Sequence, residues 1–324
     1  MKFIDLHCDT LMLAYAERQK DMYQMSGMFD IKRMKESGAM AQFFAIFMPP
    51  PGIEQWLKRE QPIDDQEYMD YCFAAYEETL SKNADLIAPA GNVKELLENE
   101  KNGKMSGLLT FEDGRMIQGD LANLKRYYDK GIRLISLTWN AENCFGFPNS
   151  TDTSVMEKGL KPFGKEAIEE MNALGIIIDV SHLSDGGFWD VAEVSRKPFV
   201  ASHSNSRVLS PHQRNLTDDM LKKLADLGGV AGINFGPEFL NEDLTCKDST
   251  LELISKHIRH MIAVGGVECV ALGSDFDGIM GNLEVGNIDE VALIFDRLKK
   301  DGLSETMIEK IAWKNALRVM KDVL

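Results

Sequence analysis

The feature that most constrains this chain is one alternation repeated along its whole length. Short apolar runs rich in β-branched or aromatic residues give way to segments whose apolar residues recur every three or four positions. The runs are Phe3–Leu6, Met40–Phe47, Gly107–Phe111, Ile132–Leu137, Ile176–Val180, Phe199–Ala201, Val230–Phe235 and Val270–Leu272. Strand-helix alternation implies parallel strands joined by crossovers. Eight such units predict an α/β fold closed as a (β/α)8 TIM barrel rather than an open sheet. Asp85–Ala88 offers a ninth short strand. The chain of 324 residues suits one barrel domain over 1–324, with loop insertions at about 49–66 and 139–161. Leu251, Ile254, Ile258 and Met261 form one helical stripe, behind an expected capping box of Ser249 and Glu252. His257 and His260 read as surface residues of that helix.

Composition narrows the partners. Lys and Arg number 36 against 51 Asp and Glu, a formal net charge of −15. Such a surface repels nucleic acid and anionic membranes, so neither is expected as a partner. No run approaches the length of a transmembrane helix. The start, MKFIDLHCDT, has no apolar leader segment. The cysteines (Cys8, Cys72, Cys144, Cys246, Cys269) are odd in number and scattered, which argues against a disulfide framework and suits the cytoplasm.

In a barrel of this kind chemistry gathers at the C-terminal ends of the strands. Here those ends carry His7-Cys8-Asp9, Glu112-Asp113-Gly114, Ser181-His182, Ser202-His203-Ser204 and Ser274-Asp275-Phe276-Asp277-Gly278. In extended backbone residues i and i+2 face the same side, so His7 and Asp9 can share one cation. Imidazole nitrogen and carboxylate oxygen together suit zinc. His182 and His203 would supply a second imidazole pair from neighbouring strands, and Glu112 has two oxygens with which to bridge two ions. Two divalent ions about 3.5–4 Å apart would share a hydroxide and clamp an oxyanion. Taken singly, each residue has an ordinary reading: a solvated loop pair, a hydrogen-bonded histidine, a turn cap at Asp275. Their joint placement at strand ends favours the metal reading. HExxH, G-x-S-x-G, Walker A and dinucleotide motifs are absent, and Cys8 has no Cys-His-Asn setting that would make it a nucleophile.

The segments FIDLHCDT (3–10), LLTFEDG (108–114), LGIIIDVSH (174–182), PFVASHSNSR (198–207) and LGSDFDG (272–278) resemble, in order, the membrane dipeptidase (renal dipeptidase) family. The resemblance implies an amidohydrolase-like barrel with two divalent metal ions, Zn2+ foremost, hydrolysing dipeptides, including those with a C-terminal D-residue. It assigns His7 and Asp9 to the first ion, His182 and His203 to the second, and Glu112 to the bridge. It places Asp275 near the first ion as the group that handles the proton of the attacking water. Arg214 matches the arginine that pairs with the substrate carboxylate, where an Arg fork suits the geometry. By itself Arg214 reads as a surface ion pair. A homodimer is in keeping with the family.

The chain departs from the family pattern in two places. Trp139, in Leu137-Thr138-Trp139-Asn140, stands where the mammalian pattern has a substrate-contacting histidine. An indole donates one hydrogen bond and cannot be protonated, so Trp139 and Asn140 become candidate substrate contacts of a different kind. Asn234-Phe235-Gly236 replaces an aromatic after the seventh strand. Two other readings stand beside the dipeptidase: a barrel metallohydrolase acting on another amide, a lactone or a phosphoester, and a non-catalytic metal-binding protein. The first commonly needs a carboxylated lysine after strand four, a position where this chain offers Trp139.

Overall fold

The computed structural model describes residues 1–324. Its strands are β1 (Phe3–Cys8), β2 (Ala39–Phe47), β3 (Ile87–Pro89), β4 (Met105–Glu112), β5 (Ile132–Ser136), β6 (Ile177–Asp179), β7 (Val200–Ala201), β8 (Val230–Ile233), β9 (Asp248–Ser249), β10 (Val270–Leu272) and β11 (Asn282–Leu283). Pairing runs β2-β1-β10-β8-β7-β6-β5-β4, and β2 pairs with β4 to close the circle. All of these pairings are parallel. The eight expected strands are the eight staves. The ninth candidate is β3, which pairs with Met105–Gly107 of β4 while β5 pairs with Leu109–Glu112. It therefore extends the sheet at the bottom of one stave without entering the ring. The insertion after β2 packs as turns, and the one after β5 carries a short helix, Thr153–Met156.

Closure explains the sequence pattern. Every residue of β2 and β4 is buried, because one face meets the barrel interior and the other meets helices. Inside, Leu108, Leu134, Ile177, Val200, Val230 and Ala271 form an apolar floor with Ala316, Val319, Met320 and Val323 of the C-terminal helix Asn315–Val323. Two residues further along the strands the interior turns polar, with Thr110, Ser136, Asp179 and Ser202 all fully buried. The next step reaches the rim and Glu112. Gly232 and Gly273 are needed at the polar level, since a Cβ at either would overlap the Ser202 carbonyl oxygen.

Two local expectations are corrected. The cap of helix Leu251–Gly265 is Thr250, whose hydroxyl accepts from Leu253 N–H at 3.2 Å. Ser249 is drawn into β9, paired with Leu283 of β11, so the chain turns helical one residue later than the capping-box pattern suggested. His257 is wholly buried. Its Nε2 lies 3.0 Å from Leu240 O, and its Nδ1 accepts from Ser206 N–H at 3.2 Å. It is a strut under the loop that follows His203. His260 is half-buried beside Asp218, 2.7 Å away.

Burial pushes the pKa of His257 down to about 4. An unfolded histidine takes up its proton near 6.5, so below that pH the unfolded chain binds more protons than the fold does. The stability this residue contributes is complete above pH 6.5 and is lost as pH falls toward 4. Between pH 7.5 and 5 the loss amounts to about 2 kcal/mol, at about 1.36 kcal/mol per unit. In denaturant melts at the two pH values, the wild type should lose about 2 kcal/mol more stability between them than His257→Gln does. Identical pH dependence would remove the assignment.

Candidate metal centre and cleft

The rim collects side chains from across the chain. His7 Nε2 lies 3.7 Å from Asp9 Oδ2, 3.5 Å from Glu112 Oε2 and 3.8 Å from Asp275 Oδ1. Glu112 Oε1 lies 2.9 Å from His182 Nε2 and 3.5 Å from His203 Nε2. The two latter nitrogens are 3.1 Å apart, and the His7 and His203 rings stack with centroids 3.9 Å apart. Two overlapping triads result, His7-Glu112-His203 and His7-Asp9-Asp275, each with donor atoms within 4.8 Å of one another. All six sequence candidates for metal ligation are thus in one place, and all are buried.

Backbone geometry supports the placement. His182 and Asp275 both adopt left-handed backbone, with φ of 67° and 65°. Such conformations cost an ordinary residue about 1–3 kcal/mol and persist where surrounding contacts over-determine them. Asp9 N–H donates to Phe276 O at 2.8 Å, joining the segments after β1 and β10. Asp277 completes this junction by accepting from Thr10 Oγ1 and Met28 N–H, each at 2.6 Å. Gly278 is obligatory here, because a Cβ would overlap Asp9 Oδ2 and Asp275 Oδ1.

The electrostatics are those of a site built around positive charge. Burial works against a charge on His7, yet Glu112 and Asp9 outweigh it and raise its pKa well above the ordinary value. Burial also opposes the Glu112 charge, but His7, His182 and His203 hold it well below the usual carboxylate range. Burial pushes Asp275 up to about 6, and Glu112 adds to the rise. Burial and the Arg214 charge take His182 down to about 3, which leaves a neutral imidazole lone pair available. Both ring nitrogens of His7 and the Asp9 Oδ1 are buried without a hydrogen-bond partner. Such orphaned atoms are costly, about 1–3 kcal/mol each, unless something else satisfies them. Imidazoles and carboxylates converging from several strands are the donor set of a divalent transition-metal ion. The residues therefore fit the metal that the sequence pattern implies.

Above the rim is a cavity of about 300 Å³, with Asp9, Glu112, His182 and Asp275 on its floor. Phe47, Ile53, Trp56, Trp139 and Phe239 form apolar walls. Trp139 packs edge-on against Phe47 at 5.0 Å and stands 6.0 Å from the His182 ring. Asn140 also lines the cavity, but its Oδ1 is 3.1 Å from His182 Nδ1, so it braces the imidazole of a candidate ligand. Arg214 is buried, not a surface ion pair: its Nη1 donates to Ser204 Oγ at 3.0 Å, its Nη2 to His203 O at 3.2 Å, and its Nε is unpartnered. Its guanidinium stands 5.5 Å from the ring centre of Phe239, a residue of the cavity wall. Cys8 is fully buried, and burial raises its thiol well above the ordinary range.

Sequence reasoning named Asn234 only as part of a segment that replaces an aromatic, and gave it no role. Its Nδ2 donates to Asp275 Oδ2 at 2.8 Å, and its Oδ1 accepts from Gly236 N–H at 2.7 Å. It leaves Asp275 Oδ1 facing the cluster. The signal was available, since Asn234 sits at a strand end like the residues that were singled out. Glu238, on the cavity wall, was also missed; it follows the helix-starting Pro237 and carries no motif.

A closed parallel barrel with a buried imidazole and carboxylate cluster at the C-terminal rim defines a metallohydrolase of the amidohydrolase-like class. Residues 1–324 match the profile of "Membrane dipeptidase (Peptidase family M19)", and the chain belongs to that family, whose reaction is the hydrolysis of dipeptides. A protein from Klebsiella pneumoniae described as an uncharacterized protein in the pqqA 5′ region is 41% identical over 212 residues, 63% of this chain and 77% of that one. An uncharacterized dipeptidase of Schizosaccharomyces pombe is 30% identical over 311 residues, 92% of this chain and 73% of that one. The crystal structure of a metallopeptidase from Rhodobacter sphaeroides, liganded with a phosphinate mimic of L-Ala-D-Ala, superposes with a TM-score of 0.88 at 26% identity. That match covers 100% of this chain and 99% of the other. No helix here is long and apolar enough to cross a membrane.

Proposed function

We propose that this chain is a binuclear, zinc-dependent dipeptidase that accepts a D-residue at the C-terminal position of its substrate. The observation that carries the reading is His7: a fully buried imidazole with both nitrogens unpartnered, flanked by carboxylates and two further imidazoles. His7 and Asp9 would hold one ion, His182 and His203 the other, and Glu112 has an oxygen directed to each group. When bound, such ions acidify a water toward neutral pKa and polarise the scissile carbonyl.

The chain's own groups supply the rest. Asp275 Oδ1 takes the proton of the attacking water and returns it to the leaving amine, while Asn234 holds Oδ2 in place. Arg214 offers a charged donor to the substrate carboxylate and thereby restricts the length of the peptide. The apolar walls exclude water and receive the side chains, with Trp139 in place of a titrating group. The Rhodobacter sphaeroides relative's ligand, a mimic of L-Ala-D-Ala, supports the D-residue reading. The free thiols fit a reducing compartment such as the cytoplasm.

The test is metal analysis with turnover. Protein stripped by a chelator and reloaded with Zn2+ should bind two ions per chain and hydrolyse both L,L- and L,D-dipeptides. Stripped protein should be inactive. Two bound ions with no cleavage of any dipeptide would overturn the enzymatic reading.

A further inference from the structure

Beneath the rim lies a carboxylate that the reaction does not touch. Asp179 is wholly buried in the polar level of the barrel. Its Oδ1 accepts from Ser181 N–H at 3.0 Å and Ser202 N–H at 2.8 Å. Its Oδ2 accepts from Ser136 Oγ at 2.5 Å and Ser202 Oγ at 2.6 Å. Each oxygen thus accepts two donors. Ser202 Oγ is in turn 2.7 Å from His203 Nδ1. A serine hydroxyl has one proton, and here it is given to Asp179. The oxygen can then only accept from His203, so the imidazole proton must be on Nδ1. Nε2, facing Glu112 and His182, is left with its lone pair.

We propose that Asp179 is a positioning residue which, acting through Ser202, fixes the tautomer of His203 that can ligate a cation. Metal-bound histidines commonly donate their other nitrogen to a carboxylate, and loss of that partner weakens binding about 10–100-fold. Here a serine is interposed between the two.

The barrel contains its own control. Asp5 clamps Ser274 in the same way, accepting from Ser274 N–H at 2.8 Å and Ser274 Oγ at 2.6 Å. Each serine directly precedes a metal-site residue, Asp275 or His203. The Ser274 hydroxyl, however, otherwise meets only backbone, the His7 oxygen and the Phe276 N–H, each at 3.2 Å, and no imidazole nitrogen. Asp5 therefore pins two strands without touching a tautomer, whereas Asp179 does both.

The inference rests on the two-ion reading, and the test keeps their failures separate. The tautomer of His203 is read in metal-free full-length protein by long-range 15N–1H correlation, and Zn2+ affinity by chelator competition. The wild type should show Nδ1–H, and Asp5→Asn should keep it. Asp179→Asn presents an amide donor to Ser202, which turns the hydroxyl proton toward His203 and shifts the imidazole proton to Nε2. The weaker of the two Zn2+ sites should then lose affinity 10–100-fold. Ser202→Ala, the smaller change, should cost about 10-fold and decides the matter if Asp179→Asn does not fold. Nε2–H in the metal-free wild type, or Zn2+ affinity unchanged within twofold in folded Ser202→Ala, overturns the proposal. Fewer than two Zn2+ bound by a wild type that shows Nδ1–H would count against the two-ion reading and leave the tautomer relay supported.

Discussion

Glu112→Gln is expected to lower kcat/KM for dipeptides by about 10⁴-fold, roughly 5 kcal/mol at about 1.4 kcal/mol per decade. Glu112 is the one side chain within 3.5 Å of three imidazoles. Glutamine keeps its shape, removes its charge, and directs an N–H donor at nitrogens that must offer lone pairs. The buried cluster then holds less negative charge against the incoming cations, so metal content should fall along with turnover. Both are measured on the same preparation, by metal analysis and steady-state kinetics. A folded Glu112→Gln protein that keeps two ions and activity within tenfold of wild type would show that Glu112 does not join the two halves of the centre.

Arg214→Ala should raise KM about 10²-fold for dipeptides with a free carboxylate, in line with about 1.5–3 kcal/mol for hydrogen bonds to a charged group. Arg214 is buried, has no acidic partner within ion-pair distance, and carries an unpartnered Nε. A charge held in that way is costly unless a ligand completes it. C-terminally amidated substrates, which lack the carboxylate, should lose far less. Because Nη2 also donates to His203 O, part of any effect will be felt at the metal centre. The ratio between the two substrates isolates the carboxylate term. Equal losses on both would assign Arg214 to bracing the loop after β7.

The route from sequence to site was short where the signal was local. Staves were readable because both faces of β2 and β4 are buried, which makes them continuous apolar runs. The candidate ligands were readable because barrels present chemistry at strand ends, where His7, Asp9, Glu112, His182, His203 and Asp275 stand. Errors came where a residue's environment depended on a distant segment. His257 looked like a surface residue on its helix, yet Leu240 and Ser206 enclose it. Arg214 by itself read as a surface ion pair, yet the segment from His203 to Ser204 and the Phe239 ring bury it. Asp179 and Asp5 had a legible sign, a charged residue inside an apolar strand, which a buried stave tolerates only when its hydrogen bonds are met.

What the amino-acid order determined by itself was the number of staves, the level at which each stops being apolar, and the residue types raised to the rim. These follow from periodicities of two and 3.6, which are properties of neighbouring positions. The closed structure alone decided which groups meet: Glu112 against three imidazoles, Asn140 against His182, Asn234 against Asp275, and Asp179 against Ser202, 23 residues further along. Those contacts depend on the register between staves. Register is set by packing around the whole ring, and no short stretch of chain encodes it.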